Sequence, residues 1–338
     1  MHLKDFDFHL PTELIANQPA EPRDSCNLLV LDREKKKIIS DVFYNIINFF
    51  NKGDVLVLNT SKVIPARIIF NIKGKEAELL LIRKVGENQW ICMVKPGRKL
   101  KVGSKYQICP EAEFEIESQT EDGFRQVKFN VQNISFEHFL LERGITPLPP
   151  YIKPGLSKDD DYQTIYAQEN GSVAAPTAGL HFTDKLLEKL HKKGVRIAKA
   201  LLHVGPGTFL PVKTDDVKKH KMHKEYYELT EKNAKIINDA KSNGKKVIAV
   251  GTTAVRILES SCKHGKVKAN TGFTDIFIYP GYKWNVVDGL ITNFHLPKST
   301  LLMLVSSFAG TDFTKKAYAY AIDHNYRFYS FGDAMLIL

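Results

Sequence analysis

VIPARIIFNIKGKEAELLLIRKVGENQWICMVKPGRKLKVGSKYQICPEAEFEIESQTEDGFRQVKF, residues 63–129, decides how the rest of the chain is read. Short runs rich in β-branched and apolar residues recur at 67–72, 77–82, 89–94, 105–108, 113–117 and 124–129. Turn signals separate them: Lys73-Gly74-Lys75, Gly86-Glu87-Asn88, Pro96-Gly97, Val102-Gly103 and Asp122-Gly123. Glycine supplies the positive φ, and proline the fixed φ, that tight reversals need. Strands at this regular spacing predict a small antiparallel barrel.

On both sides of that segment the pattern changes. Residues 26–32 form a strand-like apolar run, 43–50 have helical spacing, and DVLVLN at 54–59 reads as a short buried strand. Downstream, helical patterns at 135–143, 186–192, 234–241, 254–260, 300–308 and 315–323 alternate with strand-like runs at 196–202 and 247–250. Such alternation predicts a largely parallel sheet with helices on its faces. The fold class expected is α/β: a sheet with flanking helices as the main domain, residues 1–62 plus 147–338, with the small antiparallel β-barrel, residues 63–146, inserted into it. A stretch rich in Pro, Gly and Asp, 147–161, forms the joint where the chain returns.

With 338 residues, 43% apolar and 25% charged, the chain has the length for two domains and ordinary globular usage, which excludes a disordered or collagen-like polypeptide. Lys+Arg 48 against Asp+Glu 38 leaves a net charge of +10, which favours a polyanionic partner. The cations gather in an acid-free run, Lys95, Arg98, Lys99, Lys101 and Lys105, and in a second cluster at 213–224. Both would bind phosphate rather than read bases, and both also fit ordinary solvated faces. Cys26, Cys92, Cys109 and Cys262 show no metal-ligand spacing and read as reduced thiols. The opening MHLKDFDFHLPTEL carries acids where a secretion signal needs an apolar core, and the longest apolar stretch, 301–309, is too short to span a bilayer. A cytoplasmic protein with no membrane partner is expected.

No phosphate loop, dinucleotide fingerprint, nucleophile elbow or zinc-protease motif is present in the sequence. Gly205-Pro206-Gly207 lacks the third glycine of a dinucleotide loop, and His220 and His223, placed on one helix by their spacing, lack a third ligand, so no metal is expected. What remains are junctions at strand ends, where α/β sheets place ligands. In LLHVGPGTF at 201–209, two glycines allow close backbone approach and His203 can act near neutral pH; a tight turn around a core histidine explains the same residues. Residues 247–250 lead through Gly251 into a helix opened by a Thr252–Thr253 cap, an anion site with Arg256 beside it, or else a plain cap with an Arg256–Glu259 pair. NFHLPKST at 293–300 and GSVAAPTAGLHF at 171–182 are two further loops, the first rich in polar groups and the second in small residues.

Together these segments resemble the S-adenosylmethionine:tRNA ribosyltransferase-isomerase family of queuosine biosynthesis. The resemblance rests on FDFHLPTELIANQPAEPRD at 6–24, VIPARI at 63–68, TPLPPYIK at 146–153, YQTIYAQENGSVAAPTAGLHFT at 162–183 and LHVGPGTFLPV at 202–212. It continues in HKMHKEYY at 220–227, GTTAVRILES at 251–260, DIFIYPGY at 275–282, LITNFHLPKSTLLMLVSSFAG at 290–310 and YRFYSFGDAM at 326–335. The chain departs from the family pattern at Asn27, Ser61 and Pro206.

The resemblance implies that the ribosyl part of S-adenosylmethionine is moved onto 7-aminomethyl-7-deazaguanine at the wobble position of tRNA, giving epoxyqueuosine-tRNA, adenine and methionine. S-adenosylmethionine is then a consumed cosubstrate, with no further cofactor, and a monomer without an obligate protein partner is expected. Its sulfonium acidifies the C5′ hydrogens, so a side-chain base generates an ylide; adenine leaves, the acceptor amine adds, and closure to an epoxide expels methionine. On this scheme His203 and His181 form the proton-transfer pair. Gly205, Gly207 and Thr208 line the nucleoside, and Thr252, Thr253 and Arg256 hold the methionine carboxylate. Asp275 and Tyr279 face the sulfonium, while Asn293, His295, Lys298 and Ser299 surround the acceptor base or its phosphate. The rival readings are a methyltransferase using the same cosubstrate and a non-catalytic tRNA-binding protein.

Overall fold

The computed structural model describes residues 1–153, 158–205, 212 and 214–338, and the chain divides into two compact units. The first comprises Met1–Ser61, Pro150–Glu169 and Ala175–Leu338. The second comprises Lys62–Pro149 and Asn170–Ala174.

The first unit is a nine-stranded sheet with the spatial order Asn270–Thr274, Glu225–Leu229, Arg196–Leu202, Val55–Asn59, Val247–Val250, Gly289–Asn293, Ala334–Ile337, Asn27–Asp32, Lys37–Val42. From Arg196–Leu202 through Val55–Asn59 and Val247–Val250 to Gly289–Asn293 the strands run parallel. Toward both margins antiparallel pairings enter, at Glu225–Leu229 and Asn270–Thr274 on one side, at Ala334–Ile337 and Lys37–Val42 on the other. The sheet is therefore mixed rather than largely parallel. The expectation of a mainly parallel sheet misses these outer strands.

Every residue of Val55–Asn59, Val247–Val250 and Gly289–Asn293 is buried, the mark of strands covered on both faces. One face is closed by the 3-10 turn Phe43–Phe49 and the helix Asp184–Lys192, which seat Phe43, Ile46, Leu186 and Leu190 on Leu28, Leu56, Leu58 and Val250. Phe43 meets Phe182 edge-on with ring centroids 5.1 Å apart. Each such buried side chain stabilises the fold by roughly 1.5–3 kcal/mol. Helix starts follow the capping rule: Thr183 accepts from Leu186 N and Thr230 from Asn233 N, each satisfying a backbone donor of the first turn.

The second unit is a six-stranded antiparallel sheet in the order Arg67–Ile72, Lys75–Gly86, Gln89–Lys95, Arg125–Val131, Ala112–Gln119, Lys105–Cys109. Its edge strands approach each other, so the sheet is nearly closed and barrel-like. Alternation along Ala112–Gln119 buries Ala112, Phe114 and Ile116, and these meet Phe70, Val127 and Phe129 inside. The first hairpin turns at Lys73 and Gly74, both at positive φ (50° and 77°), the geometry a tight two-residue reversal demands. The helix Phe136–Arg143 adds Phe136 and Phe139 to the same core.

Candidate active site

The parallel strands of the first unit end on one edge, and each delivers a candidate residue there. Val55–Asn59 leads into Ser61, Arg196–Leu202 into His203, Val247–Val250 into Gly251, and Gly289–Asn293 ends at Asn293 itself. This carboxyl edge is where open α/β sheets place ligands, because loops diverge there and leave a crevice.

His203 is half-buried, its ring nearly parallel to that of Tyr226 at 5.7 Å. Its Nδ1 lies 3.2 Å from Ser61 Oγ, and its Nε2 carries no hydrogen bond among the described residues. Burial pushes its pKa down to about 4, so the imidazole is neutral at physiological pH. Two residues on, the Gly205 N–H donates to Glu225 Oε1 at 2.8 Å. Glu225, itself buried, closes an ion pair with Arg256 Nη1, and Arg256 Nη2 donates to the Thr274 carbonyl at 3.3 Å. The guanidinium is buried, and desolvation pulls its pKa to about 10 against the opposing charge of Asp275. Arg256 thus pairs with Glu225 and not with Glu259, whose carboxylate instead accepts from Tyr282 Oη and the backbone of Val286 and Val287. Nη1 is thus committed to the Glu225 carboxylate that holds Gly205 and Nη2 to the end of the strand Asn270–Thr274; Nε is buried without a partner among the described residues.

The helix Gly251–Ser261 begins directly after its strand, with Val250 as N-cap and no capping side chain. This corrects the expectation of a threonine cap. Thr252 and Thr253 lie inside the first turn, and Thr253 Oγ1 is buried without a hydrogen-bond partner. Gly251 sits at φ +85°, a strand-to-helix kink that a side chain would strain.

His181 occupies a different environment. It ends the 3-10 turn Thr177–His181, is 4% exposed, and packs 5.2 Å from Phe43. Asn293 Nδ2 lies 3.0 Å from its Nε2 and 3.1 Å from the Tyr329 carbonyl, while Asn293 Oδ1 accepts from Thr177 at 3.0 Å. A carbonyl only accepts, so the amide nitrogen must face it and must donate to Nε2 as well. The ring proton therefore sits on Nδ1, directed at Cys26 Sγ 3.3 Å away. Burial, with the charges of Arg327 and Arg23, depresses the pKa to about 3. Both ring nitrogens are spent on the protein, which leaves His181 no lone pair to offer as a proton acceptor.

The remaining expected residues separate by surroundings. Asp275 is exposed, and Tyr279 is half-buried with its ring 5.0 Å from Phe277. His295 Nε2 is 2.7 Å from Thr292 Oγ1, and burial lowers its pKa to about 3. Lys298 reaches Asp7 at 2.8 Å. Ser299 caps the helix Thr300–Ala309, accepting from Leu302 N and donating to the Leu296 carbonyl. Gly207, Thr208 and the departure at Pro206 lie outside the described residues. The departure Asn27 binds Asp333 through its backbone N–H and its side chain. His220 and His223 fall between the short turn Val217–Lys219 and the strand Glu225–Leu229, not on a helix, and no cluster suited to a metal occurs among the described residues. Sequence reasoning passed over Ser61, Glu225, Tyr226 and Cys26. Glu225 carried a signal: it is the one acid in the run 217–227, at the start of an alternating strand.

The fold and the edge define an α/β protein with a neutral imidazole at the carboxyl edge of its parallel strands and an inserted barrel-like unit. Residues 3–337 match the model of the family described as Queuosine biosynthesis protein, and the chain belongs to that family. It is 53% identical over 341 residues to a protein of Carboxydothermus hydrogenoformans named S-adenosylmethionine:tRNA ribosyltransferase-isomerase, covering 100% of both. Relatives of the same name from Clostridioides difficile and Thermotoga maritima are 52% and 49% identical, again with full coverage of both chains. Among solved structures, S-adenosylmethionine tRNA ribosyltransferase from Thermotoga maritima matches with a TM-score of 0.58 at 40% identity, covering 99% of this chain and 100% of that one. The family expected from the sequence motifs is the family found.

Proposed function

We propose that this chain is an S-adenosylmethionine:tRNA ribosyltransferase-isomerase, moving the ribosyl part of S-adenosylmethionine onto 7-aminomethyl-7-deazaguanine at the wobble position of tRNA, with adenine and methionine as co-products. The observation that carries the reading is identity near one half along the entire chain to proteins of that name. The strand-end geometry supports it, because the scheme asks for a neutral base and His203 on the carboxyl edge has an Nε2 with no partner among the described residues.

In this reading Nδ1–H of His203 is donated to Ser61, and the Nε2 lone pair takes a proton from C5′ beside the sulfonium. The burial that keeps the ring neutral also makes the resulting imidazolium a strong acid, suited to returning the proton to departing adenine. The acceptor amine then adds to the opened sugar, and epoxide closure breaks the carbon–sulfur bond, with its electron pair leaving on methionine. His181 serves as a positioning residue that locks Asn293. Arg256 positions Gly205 through Glu225, and the uncapped helix start at Thr252 and Thr253 receives the methionine carboxylate. Asp275 and Tyr279 face the sulfonium. Asn293, His295, Lys298 and Ser299, each bonded to protein partners, shape the loop that meets the acceptor nucleotide.

The test is incubation with S-adenosylmethionine and tRNA bearing the aminomethyl base. Free adenine and methionine are expected. S-adenosylhomocysteine in their place identifies a methyltransferase, and salt-sensitive binding without any product identifies a binder.

A further inference from the structure

Beyond His203 the sheet ends in a row of aromatic rings. Tyr226 stacks on His203 at 5.7 Å and 20°, and Phe273, directly opposite Tyr226 on the next strand, meets it edge-on at 5.8 Å. Phe273 stands on the outermost strand, Asn270–Thr274, and is 50% exposed, costly for so large an apolar ring. The segment leading into the strand of Tyr226 carries Lys218, Lys219, Lys221 and Lys224, all exposed and none in an ion pair among the described residues. A row of rings that starts at His203 and runs to the outermost strand, by way of a strand whose lead-in carries four exposed lysines, fits one kind of ligand. Unpaired bases stack on aromatic faces while their phosphates seek cations.

We infer that Tyr226 and Phe273 form a stacking platform for unpaired nucleotides flanking the acceptor base, with Lys218, Lys219, Lys221 and Lys224 holding the adjoining phosphates. The inference rests on the RNA-modifying reading above and names the surface by which a single-stranded loop is held open at His203. Duplex RNA, whose bases are stacked internally, has nothing to offer the platform. The lysines contribute to any phosphate backbone, so discrimination between loop and duplex comes from the rings.

The experiment uses the full chain and a short anticodon stem–loop RNA with 2-aminopurine beside the acceptor position, and a duplex of equal length as comparison. Wild type should quench the 2-aminopurine and prefer the stem–loop. Phe273→Ala should weaken stem–loop binding about 5- to 100-fold, the range of one lost base–aromatic stack, abolish the quench, and leave duplex binding unchanged. Phe273→Trp should restore both. In turnover the loss should fall on KM for RNA and not on KM for S-adenosylmethionine. Replacing the lysines by glutamine should flatten the salt dependence for stem–loop and duplex alike. Equal wild-type affinity for the two RNAs, or stem–loop affinity of Phe273→Ala within twofold of wild type, overturns the platform. Binding is read without turnover, so a protein that stacks the loop but releases no adenine defeats the proposed reaction and leaves the platform standing.

Discussion

His181 and His203 sit on the same edge of one sheet, and the protein treats them in opposite ways. Around His181 both hydrogen-bond partners are uncharged, a thiol on Nδ1 and a carboxamide on Nε2, and the carboxamide is held in turn by the Tyr329 carbonyl. Around His203 one ring nitrogen is held by Ser61, the other has no partner among the described residues, and Gly205 is tied to the buried Glu225–Arg256 pair. A saturated neutral network only holds its members in place; a neutral imidazole whose Nε2 has no partner among the described residues is placed to exchange a proton. Type and position in the chain do not separate the two residues. Their hydrogen bonds do.

The sharpest way to break the contrast is exchange at His203. His203→Gln keeps size and a polar group but removes the titrating nitrogen, and adenine release in a single turnover should fall roughly 10²–10⁴-fold, the usual worth of a general base. RNA binding, followed by anisotropy, should persist. Release within a few-fold of wild type removes His203 from proton transfer. Glu225→Gln tests the charged frame of that half. It strands the Arg256 guanidinium in a buried site, so stability to urea should drop by about 3–5 kcal/mol. A loss below about 1 kcal/mol would mean that Arg256 finds another counter-charge, such as Asp275, whose charge already acts on it. Asn293→Leu tests the neutral half. It deprives His181 Nε2 and Thr177 of their partner, and a loss of about 1–3 kcal/mol is expected for the buried groups left unsatisfied. The same denaturation series measures it.

Much of this contrast was invisible in the sequence, for identifiable reasons. The alternation of Ala112, Phe114 and Ile116 made the second unit legible, because one face of each strand is buried and the period of two survives. Gly289–Asn293 and Ala334–Ile337 are buried on both faces and show no period, while NTGFT at Asn270–Thr274 is too polar to read as a strand. Without Ala334–Ile337 and Asn270–Thr274, and without Glu225–Leu229 and Lys37–Val42, the mixed sheet reads as a parallel one. His203, Gly251 and Asn293 were found because strand ends are where loops with glycine, histidine and asparagine stand out. Their partners were not. Ser61 meets His203 across 142 positions of chain and Asn293 meets His181 across 112, and pattern along a chain does not report pairing across it.

The smallest expected effect separates the two histidines by pH. The folded pKa of His181, about 3, lies below the ordinary value of 6.5, so on acidification the unfolded chain takes up the proton first. The stability conferred by keeping the ring neutral is complete above about pH 6.5 and declines as pH falls toward the folded value, reaching a loss of about 2 kcal/mol at pH 5 for this one group. His181→Gln, which cannot titrate, should therefore show a smaller difference between urea midpoints at pH 7 and pH 5 than wild type does, even though its stability at pH 7 is lower. His295, also depressed to about 3, acts equally in both proteins and cancels from the comparison. His203 predicts the complementary result in kinetics: with its pKa at about 4, kcat/KM for adenine release should pass level through pH 6.5, where an unperturbed histidine base would halve it. An activity limb at 6.5 would place the working imidazole in open solvent, and an unchanged pH difference in His181→Gln would mean that the neutral network admits a proton after all.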